Sequence, residues 1–271
     1  MGSLQLGHIA QENTMPKLRH TFPDLAAMFY FRAVRPLLKQ LHLNTLKALQ
    51  PALDYYRVGR TVNDAYTDSS PLFFQAAKQR FKTALQEAET KTKFSTKTIE
   101  KAANNSYKNT LNVTKGNLAR QKIPIHPDPQ HRAQYIQQNV ELIKSIPQRS
   151  FSTLARMIDQ HIEANATVET LAKAIESRYH VSESQAKLIA VDQTQKLHSQ
   201  LSRDAYQDAG VTQAYWRSLE DDRVRESHQE ANGKLFDLNV GLLVDGETTF
   251  PGMPVNCRCF SEPILQKVSR K

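Results

Sequence analysis

Trp216-Arg-Ser-Leu-Glu-Asp221-Asp222-Arg223-Val-Arg225-Glu-Ser-His228 runs on to Asn232-Gly233, and a second stretch follows: Phe250-Pro251-Gly252-Met-Pro254-Val-Asn256-Cys257-Arg258-Cys259. The only tryptophan and the only two cysteines of the chain fall inside these two stretches. Ahead of them, residues 211–219 are rich in β-branched and aromatic side chains and predict a strand. Residues 221–231 predict a short helix or turn carrying His228, and residues 235–244 a second short extended element. Asp245-Gly246 reads as a turn, residues 251–259 as irregular chain, and residues 259–264 as a short closing strand.

Three chemistries compete for Asp221, His228, Cys257 and Cys259. Thiolate, imidazole and carboxylate are all zinc ligands. Cys-x-Cys puts two sulfurs on one extended turn, His228 can supply a third ligand, and Asp221 either a fourth or the group that orients His228. In the metal-free alternative, Asp221 pairs with Arg223, Arg225 or Arg258, His228 bonds the backbone, and the cysteines pack as small apolar groups. Trp216 then anchors the strand, and Pro251-Gly252-Met-Pro254 fixes the loop against the His228 helix. The third reading is catalytic, with Cys257 as nucleophile and His228 as base, or a metal-bound water with Glu226 or Glu230 as base. No G-x-S-x-G, H-E-x-x-H or phosphate-binding G-x-x-x-x-G-K-[ST] accompanies it, so no catalytic residue is assigned. Two cysteines one residue apart do not make a disulfide framework, and the expected compartment is reducing.

The order of these residues resembles the phage Mu F-like head-morphogenesis family, the minor head proteins of tailed phages. A Trp, an Asp-x-Arg-x-Arg, a His three residues on, a Gly soon after and a closing Pro-Gly-x-Pro-x-Asn-Cys-x-Cys are matched by Trp216, Asp221, Arg223, Arg225, His228, Gly233, Pro251, Gly252, Pro254, Asn256, Cys257 and Cys259. The helix through Asp192-Gln193-Thr194 looks like the family's lead-in, with Gln193 the member of that trio expected to support the motif. The resemblance covers roughly residues 150–265. It implies a minor head protein at the virion head interior or portal vertex, made in a bacterial host cytoplasm, often in a prophage. The implied roles are head assembly and DNA packaging or ejection. The implied partners are the portal protein and capsid or scaffold subunits. Modules of this family also occur fused to toxin domains, so a phage-delivered enzyme using the Asp/His/Cys cluster is one alternative; a non-specific DNA-binding protein is the other.

Outward from the motif, the pattern is helical. Residues 182–205 carry an apolar stripe behind a capping box, Ser182-Glu-Ser-Gln185, and Gly210 suits the position past the helix end. Shorter helices are expected over 152–164 and 167–178, and over 130–146 with Pro147 as the stop. Residues 123–129, with three prolines, read as a hinge. In the front part, residues 23–49 predict a helix broken near Pro36, Pro51 marks the next break, residues 54–70 read as loop or short helix, and residues 71–89 and 94–122 predict two more helices. The resulting fold class is α+β: a mostly helical N-terminal part followed by a helical, small-β-containing C-terminal domain. The expected division is a flexible arm or extension over 1–14 (with Met15 as an alternative start), a basic helical domain over 15–122, the hinge, and the head-morphogenesis domain over 130–271 with its motif core at 182–264.

The 271 residues carry a formal charge of +9, yet residues 151–271 hold 14 Lys and Arg against 17 Asp and Glu. The excess is therefore all in the front half, which suggests two units with different partners. Lys78, Arg80, Lys82, Lys91, Lys93, Lys97, Lys101 and Lys108 lie on the two predicted basic helices or in the short link between them. They read either as a solvated face or as a contact to DNA phosphates or an acidic partner. No sequence-reading DNA or RNA motif accompanies them, and no run of 18 apolar residues predicts a membrane span.

Overall fold

The computed structural model describes residues 21–65, 71–219 and 221–265. The expectations for residues 1–14 and for 66–70 lie outside the described residues. Five long helices build the body: α1 (Asp24–Ala65), α2 (Pro71–Lys91), α3 (Thr96–Ala119), α4 (Pro129–Glu163) and α5 (Val168–Asp208). A small β-containing cap follows: β1 (Gln213–Arg217), α6 (Glu226–Ala231), β2 (Leu235–Asp237), β3 (Leu242–Val244), β4 (Glu247–Thr249) and β5 (Phe260–Pro263). The architecture is α+β and mostly helical, as the residue pattern predicts.

The helices are longer than their local signals suggest. α1 runs through both Pro36 and Pro51, so the expected breaks are absent and residues 54–65 continue the long helix rather than forming a loop or a separate short helix. A proline inside a helix costs about 3 kcal/mol through its missing N–H and its clash with the preceding turn. Both prolines are solvent-exposed, however, and the buried stripe of Tyr30, Val34, Leu38, Leu41, Leu49, Ala52 and Tyr56 passes them unbroken. Burying each large apolar side chain contributes about 1.5–3 kcal/mol, so the stripe outweighs the two defects. α4 likewise continues through Pro147, which is itself buried between Ile146 and Ser150.

Ser182 does not start a helix either. α5 is capped by Thr167, whose Oγ1 accepts the Thr170 N–H at 3.2 Å, and runs 41 residues without a stop. The Ser182 hydroxyl instead donates back to the Arg178 carbonyl at 3.1 Å, one turn earlier. A Ser-x-x-Gln pattern stabilises a helix start only where the preceding residues leave the helix, and here they do not. The stop beyond α5 falls where expected: Gly210 sits just past the end at φ +77°, a left-handed conformation that favours glycine.

The cap is two small antiparallel sheets. β1 is the centre of the three-stranded sheet β2-β1-β5, with Trp216 opposite Ser261 and Ala214 between Phe236 and Pro263. The extended element expected over 235–244 is two strands, β2 and β3, separated by a turn. β3 and β4 form a hairpin closed by Asp245-Gly246, whose φ angles of +54° and +79° are those of a primed two-residue turn.

Two apolar cores divide the molecule. The first is shared by all five helices and includes Leu38, Phe81, Ile99, Ile146, Ile158 and Leu171. It therefore draws on helices from both sides of residues 123–129. The second lies under the cap, where Trp216, Phe236, Leu238, Cys257 and Cys259 pack on Leu118 from the end of α3 and on Ala205 and Tyr206 from the end of α5. α5 is thus the element that carries the site: from Val168 through Leu201 it belongs to one core, and its last turns, with Ala205 and Tyr206, to the other.

Candidate metal centre

Alternation along β1 turns Ala214 and Trp216 inward, and both are fully buried. The Trp216 backbone is bonded on both sides: its N–H donates to the Lys234 carbonyl at 2.9 Å, and its carbonyl accepts the Gly233 N–H at 2.8 Å. Gly233 holds φ at +81°, which explains a glycine at the exit of α6. This pairing presses α6 onto the sheet, so that His228 stands edge-on to the Trp216 indole at 5.5 Å between ring centroids. His228 is only 2% exposed.

The Pro-Gly-x-Pro-x-Asn-Cys-x-Cys loop is held from below by α5. The Asp192 carboxylate accepts the Asn256 N–H at 2.8 Å and pairs with Lys196 at 2.8 Å, while the Gln193 amide steadies its other oxygen at 3.2 Å. The Ser199 hydroxyl donates to the Pro251 carbonyl. Gly252, at φ +82°, leaves no room for a side chain: a Cβ there would lie 2.8 Å from Ser199 Oγ and 2.9 Å from its Cβ. Pro254 closes the next turn by accepting the Cys257 N–H at 3.0 Å, and Asn256 takes the left-handed φ of +55° that asparagine tolerates better than most residues. Arg225 reaches across to the Val255 carbonyl at 2.7 Å.

These supports bring three ligand-type atoms to one point. His228 Nδ1 lies 3.4 Å from Cys257 Sγ and 3.5 Å from Cys259 Sγ. Both cysteines are free thiols, and all three residues are buried. The backbone N–H groups of Gly252 and Cys259 point at Cys257 Sγ at 3.3 and 3.4 Å. The Cys259 thiol, these two N–H groups and the nearby His228 pull the Cys257 thiol down to about 6 against the opposing effect of burial. The Cys259 thiol is pushed up, first by its hydrogen bond to Cys257 and then by burial. On the far side of the ring, His228 Nε2 has no hydrogen-bond partner among the described residues and faces an Asp245 carboxylate oxygen at 3.7 Å.

Asp221 is not part of this cluster. Its carboxylate is taken by the Arg258 guanidinium, with Arg223 at 3.8 Å, and Arg258 holds its pKa below the ordinary carboxylate value. The expectation of Asp221 as a fourth ligand or as the orienter of His228 is therefore corrected: Arg258, lying between the two cysteines, draws it outward. The position facing His228 belongs to Asp245, whose Asp-Gly pair announced only a turn. Of the Asp192-Gln193-Thr194 trio, Asp192 makes the bond to the motif and Gln193 acts through it, while Thr194 bonds back to its own helix. Three polar residues interrupting an apolar helix face were the signal for this clamp.

The basic residues of α2, α3 and the link between them, which holds Lys93, lie elsewhere, on the body. Lys78 pairs with Glu163 at 2.6 Å, Lys91 pairs with Glu87, and Arg80 stacks over the Tyr55 ring at 4.2 Å. Lys82, Lys93, Lys97, Lys101 and Lys108 are exposed.

Fold and site together define a helix-bundle protein whose last long helix carries a small sheet, closed over a buried pair of thiols and an imidazole. Residues 152–262 match the family described as Phage Mu protein F like protein. A Haemophilus influenzae protein described as uncharacterized is 32% identical over 127 residues. That alignment takes in 47% of this chain and only 28% of the relative. No solved structure matches the chain.

Proposed function

We propose that the protein is a minor head protein of a tailed phage or prophage, bound at the portal vertex and acting in head assembly and DNA packaging or ejection. The observation that carries this reading is the match of residues 152–262 to the Mu F-like family, a family that suggests head morphogenesis. The geometry is in keeping with a structural part. The motif residues Trp216, Arg225, Gly233, Pro251, Gly252, Pro254 and Asn256 serve to hold the cap together and to α5. Its partners would be the portal protein and capsid or scaffold subunits. Among the described residues no helix is long and apolar enough to cross a membrane.

The division at residues 123–129 is one of role rather than of packing in this reading. The basic face of α2 and α3 would meet DNA or an acidic partner surface, and the segment from residue 130 onward would provide the family module. The exposed lysines favour a non-specific electrostatic contact, whose affinity falls steeply with salt.

The test is a pull-down of the tagged protein from cells expressing the whole phage or prophage, read by mass spectrometry. Near-stoichiometric portal protein is the expected result. Recovery of no head component after crosslinking would overturn the reading.

A further inference from the structure

The buried triad has a geometry that hydrogen bonding alone leaves incomplete. Two sulfurs stand at almost equal distances, 3.4 and 3.5 Å, from one ring nitrogen. A single Nδ1 exchanges one hydrogen bond in its ring plane, so it serves only one sulfur at a time. A metal at the common point serves all three. With Zn–S near 2.3 Å and Zn–N near 2.0 Å at a tetrahedral angle, sulfur and nitrogen should lie about 3.5 Å apart, which is the separation seen for both cysteines.

The other side of the imidazole gives an independent indication. His228 is 2% exposed, and its Nε2 has no hydrogen-bond partner among the described residues. If Nδ1 is a metal ligand, the neutral ring must carry its proton on Nε2. That proton then faces the Asp245 carboxylate, 3.7 Å away. A carboxylate behind a metal-bound histidine fixes the tautomer and makes the ring a better ligand. The two backbone N–H groups aimed at Cys257 Sγ favour its thiolate, the form that binds metal.

We propose that His228 Nδ1, Cys257 Sγ and Cys259 Sγ bind one zinc ion, with Asp245 as the positioning residue behind His228 and water in the fourth position. Two thiolates and an imidazole are a donor set suited to zinc rather than to a hard cation such as magnesium or calcium. Among the described His, Cys, Asp and Glu residues, no fourth side chain joins the cluster. Asp221 lies outside it, neutralised by Arg258. The proposal stands on the site alone and is independent of the head-assembly reading.

The test uses the whole chain, purified without chelators and without a metal-affinity step, with metal content read by mass spectrometry. One zinc per chain is the expected result. His228→Ala and Cys259→Ser should each retain less than about a tenth of that, and Asp221→Asn should retain it all. Asp245→Asn should still bind, with affinity about 10–100-fold weaker in competition with a chromophoric chelator. Should the ligand variants fail to fold, cobalt(II) loading of the wild-type chain supplies a second readout. Thiolate-to-cobalt charge transfer together with the visible bands of a tetrahedral ion supports the site. Wild-type protein that takes up neither zinc nor cobalt overturns it. So does zinc that persists in soluble His228→Ala and Cys259→Ser, or zinc that is lost in soluble Asp221→Asn.

Discussion

The helical body and the cap are stabilised in opposite ways. The body has five helices of 21 to 42 residues around one core of aliphatic and aromatic side chains. Many similar contacts share the stabilisation, so two prolines in α1 and one in α4 are absorbed without a break. The cap has strands of three to five residues, too short to hold alone. Its shape depends on a few particular contacts: one tryptophan, one thiol–imidazole cluster, one carboxylate clamp and several residues at positive φ. Stability spread over area tolerates local defects, whereas stability concentrated in single contacts does not.

The strongest way to break that contrast is to remove the proposed metal. A zinc chelator should melt the cap and leave the body folded. In hydrogen exchange, the amides of β1, β2 and β5 should lose at least 100-fold protection while those of α1 and α4 keep theirs. Simultaneous loss in both regions would show a single cooperative unit. Next in size, Trp216→Ala should cost about 3–5 kcal/mol, with the exchange again confined to the cap. Leu38→Ala, in the body, should cost about 2–5 kcal/mol and lower the urea midpoint of the whole chain, because its core is shared by every long helix. Asp192→Asn weakens the bond to the Asn256 amide and should cost about 1–3 kcal/mol, visible as faster exchange at Asn256 and Cys257.

Asp221→Asn should have the smallest effect. Arg258 lowers the Asp221 pKa below its ordinary 3.8. The ion pair therefore contributes stability above that pH, and the contribution disappears as the pH falls through the lower folded value. The small gap between the urea midpoints of wild type and Asp221→Asn, present at pH 6, should close in strong acid.

Much of the cap was legible because its signals are local. A strand around Trp216, a turn at Asp245-Gly246, a short helix under His228 and a closing strand after Cys259 each follow from residues adjacent in sequence, and each is in place. His228, Cys257 and Cys259 were readable as one cluster because few residue types offer that chemistry. The body was legible in its class and misread in its joints. Pro36, Pro51, Pro147 and Ser182 all carry local stop or start signals, and each is overruled by an apolar stripe continuing on either side. The site's wider surroundings depended on long-range geometry. Asp221 and Asp245 are both acidic residues near turns, and only the fold decides that Arg258 captures the first while the second faces His228. Asp192 lies 64 residues from the amide it holds; the polar interruption of its helix marked the trio, and only the fold shows which member reaches the loop.

The unbroken course of α5 has a mechanical consequence. A helix of 41 residues is a rod about 60 Å long at 1.5 Å per residue. Leu171 and Ile175 seat its near end in the body, and Ala205 and Tyr206 form the bed of the cap at its far end. No hinge glycine or proline interrupts it. A tug on the cap would therefore pass down the rod as tension into the bundle rather than being lost in a bend. The body grips that rod from Val168 through Leu201, so the cap sits on the last turns of a shaft held along most of its length.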